Sequence, residues 1–146
     1  MTPPEEPAAV EVHECGEPLV DLRGISALLV APTAAATLVR VGVADRLVTA
    51  QTLLPIGVRL LVVSGGCPSG WHATGAAADL RICTVDGGDV AAEAGGADPL
   101  GAALAAAGLV NDPQRPWHWS YGDRAWARHR GIRQARYGPI AALGIR

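Results

Sequence analysis

The chain has 146 residues, 49% of them apolar, and a formal charge of −2, which suits one domain with a genuine core. That charge gives no basis for general attraction to nucleic acid, and no apolar run is long enough to span a bilayer. There is no Phe, and the 12 basic residues are all arginine, a bias of the kind a GC-rich genome imposes. Cys15, Cys67 and Cys83 form no C-x-x-C pair, and the N-terminus carries no basic segment followed by an apolar one. A cytoplasmic protein with reduced thiols is the expectation.

Residues 1–17, rich in Pro, Glu and Ala, are expected to form a mobile or extended arm, with 18–146 as a single domain. Leu19 to Arg23 suits a short edge strand. Thr33 is a candidate N-cap for a helix to about Leu54, with Leu38, Val41, Ala44 and Val48 at helical spacing. Pro55 and Gly57 stop it. Val58 to Ser64 reads as a buried strand, and Ala76 to Val85 as the next, ended by the Asp86-Gly87-Gly88 turn. Residues 89–97 read as loop. Asp98-Pro99 opens a helix to about Ala107, with Gly108 as its stop, and Trp117 to Tyr121 returns as a strand. The fold class is α+β: a small, largely antiparallel sheet with helices packed on one side.

Two motifs carry the chemistry, His72-Ala-Thr-Gly75-Ala-Ala-Ala-Asp79 and Trp117-His118-Trp119-Ser120-Tyr121-Gly122-Asp123. Together they offer two imidazoles and one carboxylate, a three-ligand set with an open fourth position of the kind catalytic zinc sites favour. His72 suits a loop, Asp79 the start of a strand and His118 a different element, so a metal would join two parts of the fold. Alternation puts Trp117 and Trp119 on one sheet face, where core packing accounts for them, and His118 on the other. Trp71, beside His72, suits a pocket wall.

These motifs resemble those of the zinc D-alanyl-D-alanine dipeptidases, within the zinc D,D-peptidases. That family carries His-x-x-Gly-x-Ala-x-Asp followed by a Trp- and His-containing strand. The likeness extends to Val43-Ala44-Asp45-Arg46-Leu47, to Leu54 through Val63 and to Tyr137-Gly138-Pro139. The resemblance implies a zinc D,D-peptidase-like fold, with His72, Asp79 and His118 as ligands of Zn2+.

The departures matter as much. The family places a catalytic glutamate three residues before the last histidine, where this chain has Arg115. The stretch matching its Gly-Tyr-Arg-Pro segment reads Gly65-Gly66-Cys67-Pro68, so the assisting arginine is replaced by Cys67. A guanidinium cannot act as a base, but Arg115 can hold a carboxylate or stabilise an oxyanion; the plainer alternative is a solvent-facing side chain. Cys67 suits a pocket thiol, a fourth ligand or a small buried residue. Tyr121 and Asp123 are candidates to move a proton, with Asp112 and His129 as further acid–base groups.

The expected function is a repurposed zinc enzyme using Lewis-acid chemistry on a small carbonyl- or carboxylate-bearing substrate, anionic or amino-acid-derived. Cyclisation, elimination and isomerisation in specialised metabolism all fit. One alternative is a D-Ala-D-Ala-type dipeptidase or amidase with a relocated base, Asp112 first. Another is a catalytically inactive metal-binding recognition protein. Neither nucleic acid nor membrane is an expected partner. Arg124, Arg128, Arg130, Arg133 and Arg136, crowded near the C-terminus, suit either a solvated surface or a rim that draws in an anion.

Overall fold

The computed structural model describes residues 10–34, 36–65, 74–86, 88 and 99–140. Its centre is a five-stranded sheet in the order β3 (Leu29–Val30), β5 (Val58–Gly65), β6 (Ala77–Thr84), β8 (Arg115–Ser120), β7 (Val110–Asp112). β3 and β5 run parallel, and the other neighbours are antiparallel. Two small pairs flank it: β2 (Leu19–Asp21) with β4 (Leu38–Arg40), antiparallel, and β1 (Glu11–Val12) with β9 (Gln134–Ala135), parallel. Among the described residues the fold is mixed, with three α-helices and a mostly antiparallel central sheet.

β5 is rich in branched apolar residues, β6 alternates apolar residues with Asp79 and Arg81, and a period of two sets their faces. Leu60, Val62, Ala78 and Leu80 are buried. They share one core with Val43, Ala44, Leu47 and Ala50 of α1 (Val41–Leu53) and with Ala103 and Leu104 of α2 (Pro99–Ala106). Asp79 and Arg81 alternate with Ala78 and Leu80 and so face away from that core. Gly108, at φ 98°, follows the end of α2 as the sequence suggests.

One expectation needs correction, and two features go beyond what the sequence suggests. The first helix does not start near Thr33: residues Leu38–Arg40 are drawn into β4 by pairing with β2, and α1 begins at Val41. Local periodicity loses there to strand pairing. A short helix, α3 (Arg124–Arg130), follows β8, capped by Asp123 and stopped by Gly131 at φ 68°. Finally, from residue 10 the arm is docked onto the body. Val10 is buried, and Glu11 and His13 donate backbone hydrogen bonds to the carbonyls of Arg133 and Ala135. The loop expected at 89–97 lies outside the described residues; the turn ahead of it is closed by the Thr84 N–H, which donates to Gly88 O at 2.8 Å.

The docking has a specific cause. Arg40 is completely buried, and a buried guanidinium is tolerable only if paired and fully hydrogen-bonded. Its Nη1 and Nη2 donate to the two carboxylate oxygens of Glu14 at 2.8 and 2.6 Å. The remaining donors reach the carbonyls of Glu17 (3.0 Å), Gly138 (2.9 Å) and Thr74 (2.8 Å). The Tyr137 ring lies 5.0 Å beneath the guanidinium carbon. Glu17 extends the cluster, accepting from Gly42 N at 2.7 Å and from the Tyr137 hydroxyl at 2.8 Å. Burial and that carboxylate together push the Tyr137 phenol well above its ordinary range.

Hydrogen bonds from Arg40 hold Glu14 down from an ordinary 4.5 to about 2. A carboxylate depressed on folding contributes stability that is complete above its unfolded value and is lost as pH falls through its folded one. Glu14 should therefore contribute to acid unfolding between about pH 4.5 and 2. Glu14→Gln should flatten that part of a urea-unfolding series and lower stability at pH 7 by about 3 kcal/mol, because Arg40 stays buried without its counter-charge.

Candidate functional site

Antiparallel pairing of β6 with β8 sets Ala77 opposite Ser120, Ala78 opposite Trp119 and Asp79 opposite His118. Directly opposed residues project to the same face, so the carboxylate and the imidazole meet. His118 Nδ1 and Asp79 Oδ1 are 2.9 Å apart, with the side chains 23% and 33% exposed. In the tautomer protonated at Nδ1, His118 donates to Asp79. Asn111 on β7 steadies this part of β8, its Nδ2 donating to the carbonyls of Pro116 and His118 at 2.8 and 3.1 Å. The pair is therefore fixed by the register of three strands and remains open to solvent.

His118 opens into a groove of about 400 Å³. The β7–β8 hairpin supplies one wall, with Asp112 and Arg115, while Asp123 and His129 line it from the cap and body of α3. Arg115 Nε donates to Asp112 Oδ2 at 3.0 Å, and the Arg115 side chain is 55% exposed. Asp112 Oδ1 accepts from Gln114 N at 3.0 Å, closing the turn. That backbone bond, with Arg115 beside it, holds the Asp112 carboxyl below its ordinary value. Asp112 is thus bound as a carboxylate in the hairpin, whereas Arg115 keeps guanidinium edges for a second partner.

Two expected proton carriers are placed differently. Tyr121 lies next but one after Trp119 on β8's trace, and it is buried among Trp126, Tyr137 and Arg46. Its hydroxyl accepts from Arg46 Nη2 at 3.3 Å, and it lines a different groove, with Arg46 and Arg136. Asp123 does line the His118 groove, but its Oδ1 is taken as the N-cap of α3. It accepts from Trp126 N at 2.9 Å and from Ser120 Oγ at 3.0 Å. Strand alternation separates Tyr121 from His118, and helix capping engages Asp123.

Among the tryptophans, Trp119 is buried on the face away from His118, as alternation predicts, whereas Trp117 is 51% exposed near the outer end of β8. Trp126 is buried, its Nε1 donating to Gly108 O at 3.2 Å. His72, Trp71 and Cys67 lie outside the described residues. Among the described residues, no three His, Cys, Asp or Glu side chains form a group able to hold a metal. None of their helices is long and apolar enough to cross a membrane.

The sequence reading missed Arg40, Glu14 and Glu17 as a unit. An arginine inside the apolar stretch Leu38-Val39-Arg40-Val41 was the available signal, because such a charge must find a partner if buried. In comparisons with known proteins, no family model, curated protein or solved structure matches the chain.

Since Asp123 serves α3 as its cap, Asp123→Ala should cost about 1 kcal/mol of stability. Its metal content should equal that of the parent chain. Paired denaturant melts and metal analysis check both parts.

Proposed function

We propose that this chain binds one zinc ion through His72, Asp79 and His118, and acts as a metalloenzyme on a small carbonyl- or carboxylate-bearing anion. The observation that carries the proposal is the 2.9 Å approach of His118 Nδ1 to Asp79 Oδ1. Two ligands about 2.0–2.1 Å from a tetrahedral zinc stand about 3.3 Å apart, so a small opening would admit the ion. A mixed nitrogen and oxygen donor set also suits zinc. The motif resemblance to zinc D,D-peptidases supplies His72 as the third ligand, and we read the chain as a divergent, repurposed member of that group.

Bound there, the ion would polarise a substrate oxygen. The chain's own groups divide the remaining work. Arg115, half exposed at the groove wall, would bind the substrate's carboxylate through its planar fork. Asp112 would hold Arg115 in that orientation. Tyr121 and Asp123 are engaged elsewhere, which leaves His129, exposed on the α3 side of the groove, to hold or give a proton. The dipeptidase alternative asks Asp112 to act as general base, which works best with a pKa near the working pH. Its lowered value weighs against that reading.

The purified chain should take up about one zinc per molecule, through the three ligands and an open fourth position. Zinc should raise its melting temperature, because the ion binds only the folded state. An Asp79→Ala, His118→Ala double variant should lose both the uptake and the thermal shift. Equal zinc content in parent and double variant would dispose of the site. Arg115→Ala should keep its zinc but lose about 10-fold or more in turnover of the anionic substrate, the scale of a charge-assisted hydrogen bond. Chelator-sensitive cleavage of D-Ala-D-Ala by the parent chain would favour the dipeptidase reading instead.

A further inference from the structure

We infer that Arg40 is a positioning residue for this site, and that Glu14 of the N-terminal arm holds it in place. The inference rests on the metal-binding reading above, and on the way both flanks of the segment containing His72 attach to one stretch of chain. On the near flank, Gly65 at the end of β5 donates its N–H to Ala36 O and forms a parallel bridge with Thr37. On the far flank, Arg40 supplies two attachments. Its backbone N–H donates to Gly75 O at 2.8 Å, and its Nε donates to Thr74 O at 2.8 Å. Thr74 follows His72 by two residues.

Gly75 shows how closely the far flank is held. It has φ +70°, and a Cβ there would come within 2.7 Å of Leu19 Cδ2 and 3.3 Å of Arg40 N. The next carbonyl, of Ala76, accepts from Tyr121 N at 3.0 Å. That bond extends the β6–β8 pairing that sets Asp79 opposite His118. Arg40 therefore fixes Thr74 and Gly75, immediately ahead of the strand that bears Asp79.

The choice of residue follows from this geometry. A buried ion pair is a weak source of stability compared with apolar packing of the same shape. An arginine at this place can grip both Glu14 oxygens and still spend Nε–H on Thr74. A lysine cannot, since its ammonium is a point charge without the fork. Glu14 is itself oriented, accepting from Gly16 N at 2.7 Å and Gly138 N at 2.9 Å. The arm is thereby linked through Arg40 to the first motif.

The test uses full-length Arg40→Lys, Glu14→Gln and a control, Val43→Ala, which opens the core on α1 without touching the cluster. Amide hydrogen exchange is measured on metal-free protein, and zinc affinity by chelator competition. In both cluster variants the amides of Ala76 and Ala77 should exchange at least ~10-fold faster relative to those of α1, and zinc Kd should weaken by ~10-fold, as for other groups that orient metal ligands. Val43→Ala should speed both sets of amides alike and leave Kd near the parent value. Unchanged relative exchange and unchanged Kd in Arg40→Lys and Glu14→Gln would overturn the inference. Should Arg40→Lys fail to fold, Glu14→Gln decides alone. A parent chain that takes up no zinc sinks the metal reading instead, and the exchange comparison still decides whether Arg40 and Glu14 fix this strand start.

Discussion

A buried arginine must be surrounded by acceptors before the core can close around it. Arg40 meets that condition by drawing on distant parts of the chain: Glu14 and Glu17 from the arm, Thr74 from the first motif and Gly138 near the other end. Glu17 adds Gly42 at the start of α1 and Tyr137, whose ring packs against Gly122 at φ 81°. A Cβ on Gly122 would come within 2.4 Å of that ring, so only glycine lets the turn after β8 sit there. One ionic cluster thus sets how the arm, the β2–β4 pair, α1 and the C-terminal strand come together.

The central sheet inherits its placement from that arrangement and adds a register of its own. Slipping β6 by one residue against β8 would send Asp79 to the core face and separate it from His118. Burial of Ala78 and Leu80 on one side and the solvent-facing carboxylate on the other both oppose the slip. The same alternation explains why Trp119 and Tyr121 serve the core while His118 and Ser120 face the groove. Chemistry and packing are therefore divided by the pleat of a single strand, and Arg115 enters the groove because the β7–β8 hairpin projects past His118.

Much of this was legible in the sequence where local signals and burial agree. β5 and β6 announce themselves as apolar runs between turn residues, and α2 has Pro99 at its start and Gly108 after its end. The start of α1 was illegible because Leu38, Val41, Ala44 and Val48 fit a helix locally, while the deciding partner, β2, lies earlier in the chain. α3 has only seven residues and no broad apolar stripe; Asp123 and Gly131 marked its ends, but Asp123 was read for chemistry. Pairing of the arm with the body was illegible because composition says nothing of a buried arginine 26 residues away. The resemblance carried by the motifs put Asp79 and His118 in one ligand set, and the register of β6 with β8 sets them opposite each other. They could not reveal that Asp112 would occupy Arg115.

The proposed chemistry depends on which atoms hold the ion. X-ray absorption at the zinc edge of the loaded, full-length chain reads them directly. Two imidazole nitrogens and carboxylate or water oxygens at about 2.0–2.2 Å, with no sulfur, are the predicted shell. A scatterer at about 2.3 Å, the distance of a zinc–thiolate bond, would put a cysteine in the site. That result would contradict the open His72, Asp79 and His118 centre on which the proposed chemistry depends.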